Sequence, residues 1–219
     1  MTKELQIPQE IDVAAFISKE AHDLRSPFNR ALGFLKLVLE GMDGPISEQA
    51  KDDLMVSYLN LLYTLGLMNG LVDMARLSRG ESEVTLDFQS MDYVLQKTIS
   101  EWQRKYHKEN FVQIEYSTPE IQIEADEIMI RHGIRYWISY VNEFVQENVV
   151  IHMDVEEQPD SCLLTIQSSG KKLSPPAESD LTLYGFVAQK ILELHRGELL
   201  SLEETEQGAM VKFSLPKAS

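Results

Sequence analysis

Hydrophobic residues recur at helical spacing in two long segments within the first 80 positions. In the first segment, predicted to be a helix from about residue 11 to residue 40, the apolar face comprises Val13, Phe16, Ile17, Leu24, Phe28, Ala31, Leu32, Leu35 and Val38. In the second segment, a broad apolar stripe comprises Leu54, Tyr58, Leu61, Leu62, Leu65, Met68, Leu71, Val72, Ala75 and Leu77. Between them, Gly41 and the breaker-rich run 42–46 predict a turn, and Ser47 is a predicted N-cap. Two long helices joined by a short turn predict an antiparallel hairpin.

The apolar stripes of this hairpin are too wide for the two helices to cover each other. We therefore expect two hairpins to pair into a four-helix bundle, which makes the chain a homodimer. The alternative is that the hairpin packs against the C-terminal half of its own chain.

The pattern changes after a break at residues 78–82, which predicts one domain at 1–80 and a second at 81–219. In the second domain, helical spacing predicts helices at 91–108, 127–146 and 181–195. Alternating or short apolar runs predict strands at 111–116, 121–124, 149–155, 162–167, 198–202 and 209–215. This order predicts an α/β sandwich, one sheet covered by a helical layer, so the fold class of the whole chain is α+β.

The length, charge and cysteine content of the chain exclude several kinds of function. The 219 residues are enough for two domains with cores, and the formal net charge is −15. The excess of acidic residues lies mainly in the second domain, and it disfavours binding to nucleic acid or anionic membranes. The single cysteine, Cys162, excludes a disulfide framework and a cysteine-built metal site. We find no apolar run close to the ~20 residues of a membrane span and no signal-peptide core, so we expect a cytoplasmic protein without a membrane segment.

Candidate chemistry centres on His22, in the run AHDLRSPFNR at positions 21–30 of the first predicted helix. Asp23 follows directly and can influence the basicity of the imidazole. Ser26 lies one turn later, and Pro27 removes a backbone hydrogen bond and is expected to bend the helix there. These neighbours argue against the simpler interpretation of an ordinary histidine on a packing helix.

The run around His22 resembles the phosphoacceptor box of two-component sensor histidine kinases, a box that lies on the first helix of a dimeric helical hairpin. Gly33 and Phe34 downstream also fit this pattern. The second domain resembles, more weakly, the GHKL-type ATP-binding domain of the same kinases. That resemblance rests mainly on the run 194–197 (LHRG) and on the closing run 208–216 (GAMVKFSLP). Since only about a dozen residues precede the first helix, we expect no sensor domain in this chain.

The resemblance implies a nucleotide site whose residues are changed here. Where the family has two asparagines four residues apart, one of them a magnesium ligand, this chain has Tyr136 and Tyr140, and Asn142 is two residues out of step. A tyrosine hydroxyl does not replace a carboxamide as a ligand for this hard cation.

Two further family boxes are also incomplete. In the Asp-x-Gly-x-Gly box, Ser168 replaces the aspartate that recognises adenine and Lys172 replaces the second glycine, while Gly170 remains. The Gly-x-Gly that opens a phosphate-binding helix retains at most Gly185. Only eight residues separate Leu173 from Thr182, which leaves almost no ATP lid. We therefore expect a degenerate domain that does not bind ATP productively, and no cofactor of the chain's own.

An intact phosphoacceptor box without an ATP site resembles the dimeric histidine phosphotransferases. This implies that His22 is the nucleophile that exchanges a phosphoryl group with aspartates of response-regulator receiver domains. Asp23 would orient the imidazole or accept its proton, Arg25 would neutralise phosphoryl charge, and Ser26 would position a hydrolytic water if the protein is also a phosphatase. Magnesium would come with the acidic pocket of the receiver.

Two alternatives remain open. The first is a non-catalytic pseudokinase, a regulator or scaffold that binds a partner histidine kinase or a response regulator. The second, weaker alternative is an ATP-dependent autokinase with a divergent site. The other histidines are expected to be structural or exposed: His195 as a cap at the last helix, and His107, His132 and His152 at the surface or in packing.

Overall fold

The computed structural model describes residues 12–106, 112–172 and 178–218. The chain divides into two compact units, Met1–Glu81 and Ser82–Ser219. Each unit is described by itself below.

The first unit is the antiparallel hairpin that the sequence predicts. Helix α1 spans Val13–Leu39 and begins where the Asp12 carboxylate accepts a hydrogen bond from the Ala15 N–H at 3.0 Å. The helix continues through Pro27 without interruption. Gly41 and Gly44 then adopt positive φ angles of 76° and 105°, which lets the chain reverse direction within a few residues.

Helix α2 spans Glu48–Ser78, and Ser47 caps it as predicted, its hydroxyl accepting a hydrogen bond from the Ala50 N–H at 3.2 Å. The two helices enclose a small core made of Ala21, Met68 and Val72, with Phe28 packed against it. This core lies at the level of the 21–30 run, so it fixes the part of α1 that carries His22.

Helix α2 is an exception to the expectation that no apolar segment of the chain approaches the length of a membrane span. From Leu54 to Val72 it has no charged residue, and among the described helices it is long and apolar enough, by length and composition, to cross a membrane. The core helices of soluble proteins meet the same criterion. Within this chain only 22% of its most apolar 18 residues are buried, so much of the apolar surface of α2 has no cover from its own hairpin.

The second unit is an α/β sandwich, as predicted. Its helices are α3 (Met91–Tyr106), α4 (Glu127–Asn142) and α5 (Glu178–Leu194). Its strands are β1 (Asp87–Ser90), β2 (Val112–Ser117), β3 (Gln122–Ala125), β4 (Val145–Glu157), β5 (Ser161–Lys172), β6 (Glu198–Glu204) and β7 (Ala209–Pro216). The main sheet has the order β2-β4-β5-β7-β6, in which only the β2–β4 pair is parallel, and β1 and β3 form a separate antiparallel pair.

The core of this unit lies between the main sheet and the helices. Along the central strand β5, Cys162, Leu164, Ile166 and Ser168 are buried while the residues between them are half-buried, the alternation of a sheet with one covered face. Trp137 of α4 stacks on Phe213 of β7 with a centroid distance of 6.2 Å, which joins the helical layer to the sheet.

Several predicted boundaries are wrong. Strand β1 was not predicted. Helix α4 ends at Asn142 rather than at residue 146, because Val145, which fits the helical spacing, begins the long strand β4. Strand β5 continues to Lys172, five residues beyond its predicted end. Of the segment between Leu173 and Thr182, where almost no ATP lid was expected, residues 173–177 lie outside the described residues, as does His107, while α5 already begins at Glu178.

Candidate functional site

His22 lies near the middle of α1 with its side chain 80% exposed. The preceding residue, Ala21, is buried against α2, and one step of the helix, about 100°, turns His22 away from that contact toward solvent. Its Nδ1 atom lies 3.3 Å from the Asp23 Oδ1 atom. When Nδ1 carries the proton, it donates to this carboxylate, and Nε2 presents its lone pair to solvent. This is the arrangement of a nucleophilic imidazole oriented by an acid.

Arg25 and Ser26 differ in their surroundings. The Arg25 side chain is half-buried, and its Nη2 atom donates a hydrogen bond to the Oδ1 atom of Asn69, on α2, at 2.9 Å. Ser26 is exposed, one helical turn from His22. Asn69 was not among the residues predicted for this site, since only the relative position of the two helices brings it to Arg25.

The tyrosines at the expected nucleotide-site positions pack among aromatic side chains. The ring centroids of Tyr136 on α4 and Tyr184 on α5 are 6.1 Å apart. Tyr140 makes an edge contact with Trp137 at 5.8 Å and a tilted contact with Phe144 at 5.5 Å. Burial and the nearby Glu204 carboxylate raise the pKa of the Tyr140 hydroxyl above its ordinary value. Tyr140 is therefore a neutral group in a largely aromatic environment.

The two helices that carry these tyrosines approach each other closely. At Gly133 of α4, an added Cβ would lie 2.9 Å from Cγ2 of Ile191 on α5. At Gly185 of α5, an added Cβ would lie 4.0 Å from the Tyr140 ring. Gly185 does not open a helix as the family box implies, because α5 begins at Glu178 and Gly185 lies well inside it. Its N–H group therefore belongs to the helix interior and offers no free donor to a phosphate.

Ser168, in the position of the adenine-binding aspartate, is fully buried in β5. Its hydroxyl donates to the Val141 carbonyl oxygen at 2.6 Å and accepts from the Ala209 N–H at 3.1 Å. A Cβ on Gly208 would lie 2.5 Å from the Ser168 carbonyl oxygen, so the β6–β7 turn closes directly over this residue. The hydroxyl of Ser168 is thus occupied by internal hydrogen bonds.

Gly170 and Lys172 also belong to β5, and their segment is not a loop. The Gly170 N–H donates to the Gln207 carbonyl oxygen at 3.1 Å. The Lys172 ammonium lies 3.4 Å from a Glu204 carboxylate oxygen and 3.2 Å from the Thr205 carbonyl oxygen. Both groups therefore connect β5 to the β6–β7 hairpin.

The side chains at these positions lack the pair of carboxamides that the family resemblance implies for magnesium. Asn142, the last residue of α4, has a buried Oδ1 atom without a hydrogen-bond partner among the described residues. It is a single amide oxygen, and Tyr136 and Tyr140 add no carboxylate or carboxamide to it. No group of three or more His, Cys, Asp or Glu side chains with metal-binding geometry occurs in the part of the chain that the structure describes.

Two further histidines of the described residues, His195 and His152, have hydrogen-bond or ion-pair partners. His195 is buried; its Nδ1 donates to the Ile191 carbonyl oxygen at 2.7 Å and its Nε2 accepts from the Asp126 N–H at 3.1 Å. It thereby joins the end of α5 to the start of α4, in line with its expected structural role. His152, expected at the surface or in packing, has its Nδ1 atom 3.3 Å from a Glu115 carboxylate oxygen on the neighbouring strand. Both side chains are exposed on the sheet.

Comparisons with curated proteins give two distant relatives. The chain is 21% identical over 216 residues to the sensor protein KdpD of Clostridium acetobutylicum, covering 90% of this chain and 24% of that protein. It is 20% identical over 228 residues to the non-motile and phage-resistance protein of Caulobacter vibrioides, covering 92% of this chain and 27% of that protein. The chain thus spans about a quarter of the length of these relatives. No protein-family model matches it.

Solved structures with a similar fold are histidine kinases. The Acinetobacter baumannii histidine kinase AdeS superposes with a TM-score of 0.59 at 15% identity, covering 90% of this chain and 98% of that one. Full-length ShkA in complex with AMPPNP gives a TM-score of 0.63 at 17% identity, covering 94% of this chain and 46% of that one. A histidine kinase from Burkholderia phymatum gives 0.53 at 13% identity, covering 96% and 100%. The predicted fold, a helical hairpin followed by a GHKL-like sandwich as in the histidine kinase core, is confirmed.

Proposed function

We propose that this protein acts in two-component signalling by carrying a phosphoryl group on His22, and that it receives this group from another protein rather than from ATP. One observation carries the proposal: His22 is an exposed, acid-paired imidazole on the hairpin, whereas the side chains at the nucleotide positions of the second unit are engaged in internal contacts.

The proposed reaction uses the side chains around His22 as follows. Nε2 of neutral His22 attacks the phosphorus of a receiver phosphoaspartate; the new N–P bond forms as the acyl P–O bond breaks, and the aspartate leaves as a carboxylate. Asp23 holds the Nδ1 proton and stabilises the positive charge that develops on the ring. The reverse step delivers the group to a second receiver aspartate. Magnesium in the receiver pocket would supply charge neutralisation, since the described part of this chain offers no such cluster.

The contacts of Ser168 support the absence of productive ATP binding. An adenine amino group needs an acceptor such as a carboxylate, and the Ser168 hydroxyl already donates to Val141 and accepts from Ala209. Freeing this hydroxyl would leave the buried Ala209 N–H and the Val141 carbonyl short of a partner, which is unfavourable by roughly 1–3 kcal/mol per group. The packing of Tyr136 against Tyr184 adds to this argument, because it joins the two helices that border the site in the kinases.

The exposed apolar residues of the hairpin support a homodimer. On α1 they are Val13, Phe16, Leu24, Phe34 and Leu37. At about 100° per residue, Val13 and Leu24 lie roughly 160–180° around the helix from His22 and Phe16 and Phe34 lie about 120° from it, whereas Leu37 lies about 60° from it but about 22 Å further along the helix. A partner hairpin covering this surface and the apolar surface of α2 would leave His22 open to a receiver. We propose a four-helix bundle of this kind.

Transfer from a phosphorylated receiver tests the proposal. The full chain is mixed with response-regulator receivers from the source organism that have been phosphorylated by a histidine kinase, and label on the chain is followed over time. The expected result is acid-labile label on the wild type and none on His22→Ala, with His152→Ala, an exposed histidine outside the hairpin, labelled like the wild type. Absence of transfer from every receiver would contradict relay and favour the scaffold interpretation.

Two measurements on the purified protein complete the test. Titration with magnesium and ATP is expected to give no binding at millimolar nucleotide, and measurable binding would overturn the part of the proposal that concerns ATP. Light scattering is expected to give a dimer for the wild type and a monomer for Leu24→Glu, while Glu20→Leu, which removes a charge instead of adding one, remains dimeric. A monomeric wild type would contradict the bundle.

A further inference from the structure

We propose that Asn69 on α2 is a positioning residue, which holds the Arg25 guanidinium beside His22 with its positive charge uncompensated. Arg25 thereby becomes a ready-made partner for the anionic phosphoryl group. This inference rests on the proposed function of His22, and it assigns a role to a residue on the second helix of the hairpin.

The geometry comes from the helical spacing and one contact between the helices. Arg25 lies three residues after His22, so the two side chains are neighbours on the surface of α1, one turn apart. The Arg25 Nη2 atom donates to the Asn69 Oδ1 atom at 2.9 Å. Both residues are half-buried, whereas His22 is exposed. The guanidinium is therefore held at the edge of the hairpin core by Asn69, on the residue that lies one helical turn from His22.

The apolar cluster of the hairpin restrains this pair on both sides. Ala21 and Phe28 lie four residues before and three residues after Arg25, on the same face of α1. Met68 and Val72, directly before Asn69 and three residues after it, belong to the same cluster on α2. Between these apolar residues, the half-buried Arg25 side chain loses much of its rotamer freedom on folding, so that little further ordering is needed when a phosphoryl group arrives.

The neutrality of the Asn69 side chain is the decisive feature. Other half-buried arginines of this chain are paired with carboxylates: Arg131 lies 3.0 Å from Glu101 and 2.6 Å from Glu127. Arg25, by contrast, has an amide oxygen as its partner and no ion pair among the described residues. An amide accepts a hydrogen bond without cancelling the positive charge, whereas a carboxylate would neutralise it.

A phosphoryl group on His22 would bring about one and a half to two negative charges to this surface. A guanidinium has five N–H donors, and one hydrogen bond to Asn69 leaves others to bind phosphoryl oxygens. Asn69 thus serves phosphotransfer through Arg25, without contacting the reacting atoms itself.

Chemical phosphorylation with phosphoramidate tests this role without any protein partner. In this reaction His22 Nε2 attacks phosphorus as the P–N bond of phosphoramidate breaks. The nitrogen leaves as ammonia, which takes up the proton that the phosphorylated imidazole releases. The rate of label on His22 is measured by mass spectrometry for the wild type, Asn69→Asp, Asn69→Gln and Asn60→Asp. Asn60 is an exposed residue of α2, nine positions and thus about 13 Å from Asn69, and its substitution changes the net charge equally.

We expect Asn69→Asp to lower the rate of phosphorylation about tenfold, which corresponds to about 1.4 kcal/mol. Asn69→Gln, which keeps a neutral acceptor, and Asn60→Asp are expected to stay within about twofold of the wild type. The melting temperature of Asn69→Asp should be at least that of the wild type, since the half-buried Arg25 gains an ion pair. If Asn69 were merely structural, a slower reaction would be accompanied by a lower melting temperature. A slower reaction at an unchanged or higher melting temperature therefore supports a positioning role.

Two results would overturn the inference in distinguishable ways. A wild type labelled on His22 together with Asn69→Asp reacting at the same rate would overturn the role of Asn69 and leave the proposed function intact. A wild type that takes no label on His22 from phosphoramidate or from any receiver would overturn the proposed function and this inference with it.

Discussion

The hydroxyl oxygen of Ser168 lies 2.6 Å from the carbonyl oxygen of Val141, so that the central strand of the sheet is hydrogen-bonded to the last turn of α4. The same hydroxyl accepts the N–H of Ala209 at the start of β7. One small side chain therefore joins three elements, at the position that the family resemblance assigns to the adenine-binding aspartate.

Removing this hydroxyl should destabilise the second unit. We expect Ser168→Ala to lower the free energy of unfolding by about 2 kcal/mol, because the buried Val141 carbonyl and Ala209 N–H both lose a partner. Ser169→Ala, at the next position, removes only a 3.4 Å hydrogen bond to Val150 from a half-buried residue and should cost less than about 0.5 kcal/mol. Urea unfolding followed by tryptophan fluorescence measures both, and equal effects would contradict the account of Ser168.

Two helix glycines should respond in opposite directions to the same substitution. Gly133→Ala places a Cβ 2.9 Å from Cγ2 of Ile191, and it should destabilise by about 1–3 kcal/mol. Gly185→Ala meets only the Tyr140 ring at 4.0 Å, so the higher helix propensity of alanine should stabilise by up to about 1 kcal/mol. Thermal unfolding of the two variants provides the test. A loss of stability in Gly185→Ala would show that the α4–α5 contact is tighter than described.

A strained backbone in β4 offers a stabilising substitution. Glu147 has a positive φ angle of 50° in the irregular part of the β4–β5 ladder, a conformation that suits glycine better than glutamate. We expect Glu147→Gly to raise the free energy of unfolding by roughly 0.5–1 kcal/mol, even though the exposed ion pair with Lys171 is lost. Glu156→Gly, at an exposed regular position of the same strand, should instead lower stability by a similar amount. If both variants are destabilised in denaturant titrations, the positive φ is not a source of strain.

The buried thiol of Cys162 should be unreactive in the folded protein. Burial raises the pKa of this thiol to about 11, so almost no thiolate is present near pH 8 and reagents have no access. We expect a thiol-specific disulfide reagent to label Cys162 at least a hundredfold more slowly in the native protein than in 6 M guanidinium. Because the folded pKa is raised from 9.0, the contribution of this group to stability is complete below pH 9 and is lost as the pH rises toward 11. Rapid labelling under native conditions would contradict the burial of the thiol.

The features predicted well from the sequence are local. Ser47 was predicted as an N-cap from its position before an apolar helical pattern, and its hydroxyl accepts the expected hydrogen bond. The juxtaposition of His22 and Asp23 follows from their adjacency on α1. The apolar spacing of both hairpin helices was likewise enough to give their bounds within a few residues.

The features missed depend on contacts between distant segments. Strand β1 is four residues long and exists through its pairing with β3, about 35 positions later, so neither length nor alternation identifies it. The strand around Cys162 was predicted to end at Gln167, whereas its pairing with β4 continues to Lys172. The Arg25–Asn69 hydrogen bond spans 44 positions and depends on the register of two helices, which spacing within each helix does not determine.

The long strand β5 also has a consequence for hydrogen exchange. Its backbone pairs with β4 up to Lys172, and the Gly170 amide is hydrogen-bonded to Gln207, so this stretch exchanges with solvent only when strands separate. A flexible nucleotide-binding loop would exchange freely until ligand bound. The amides of this stretch should therefore exchange slowly whether or not nucleotide is added.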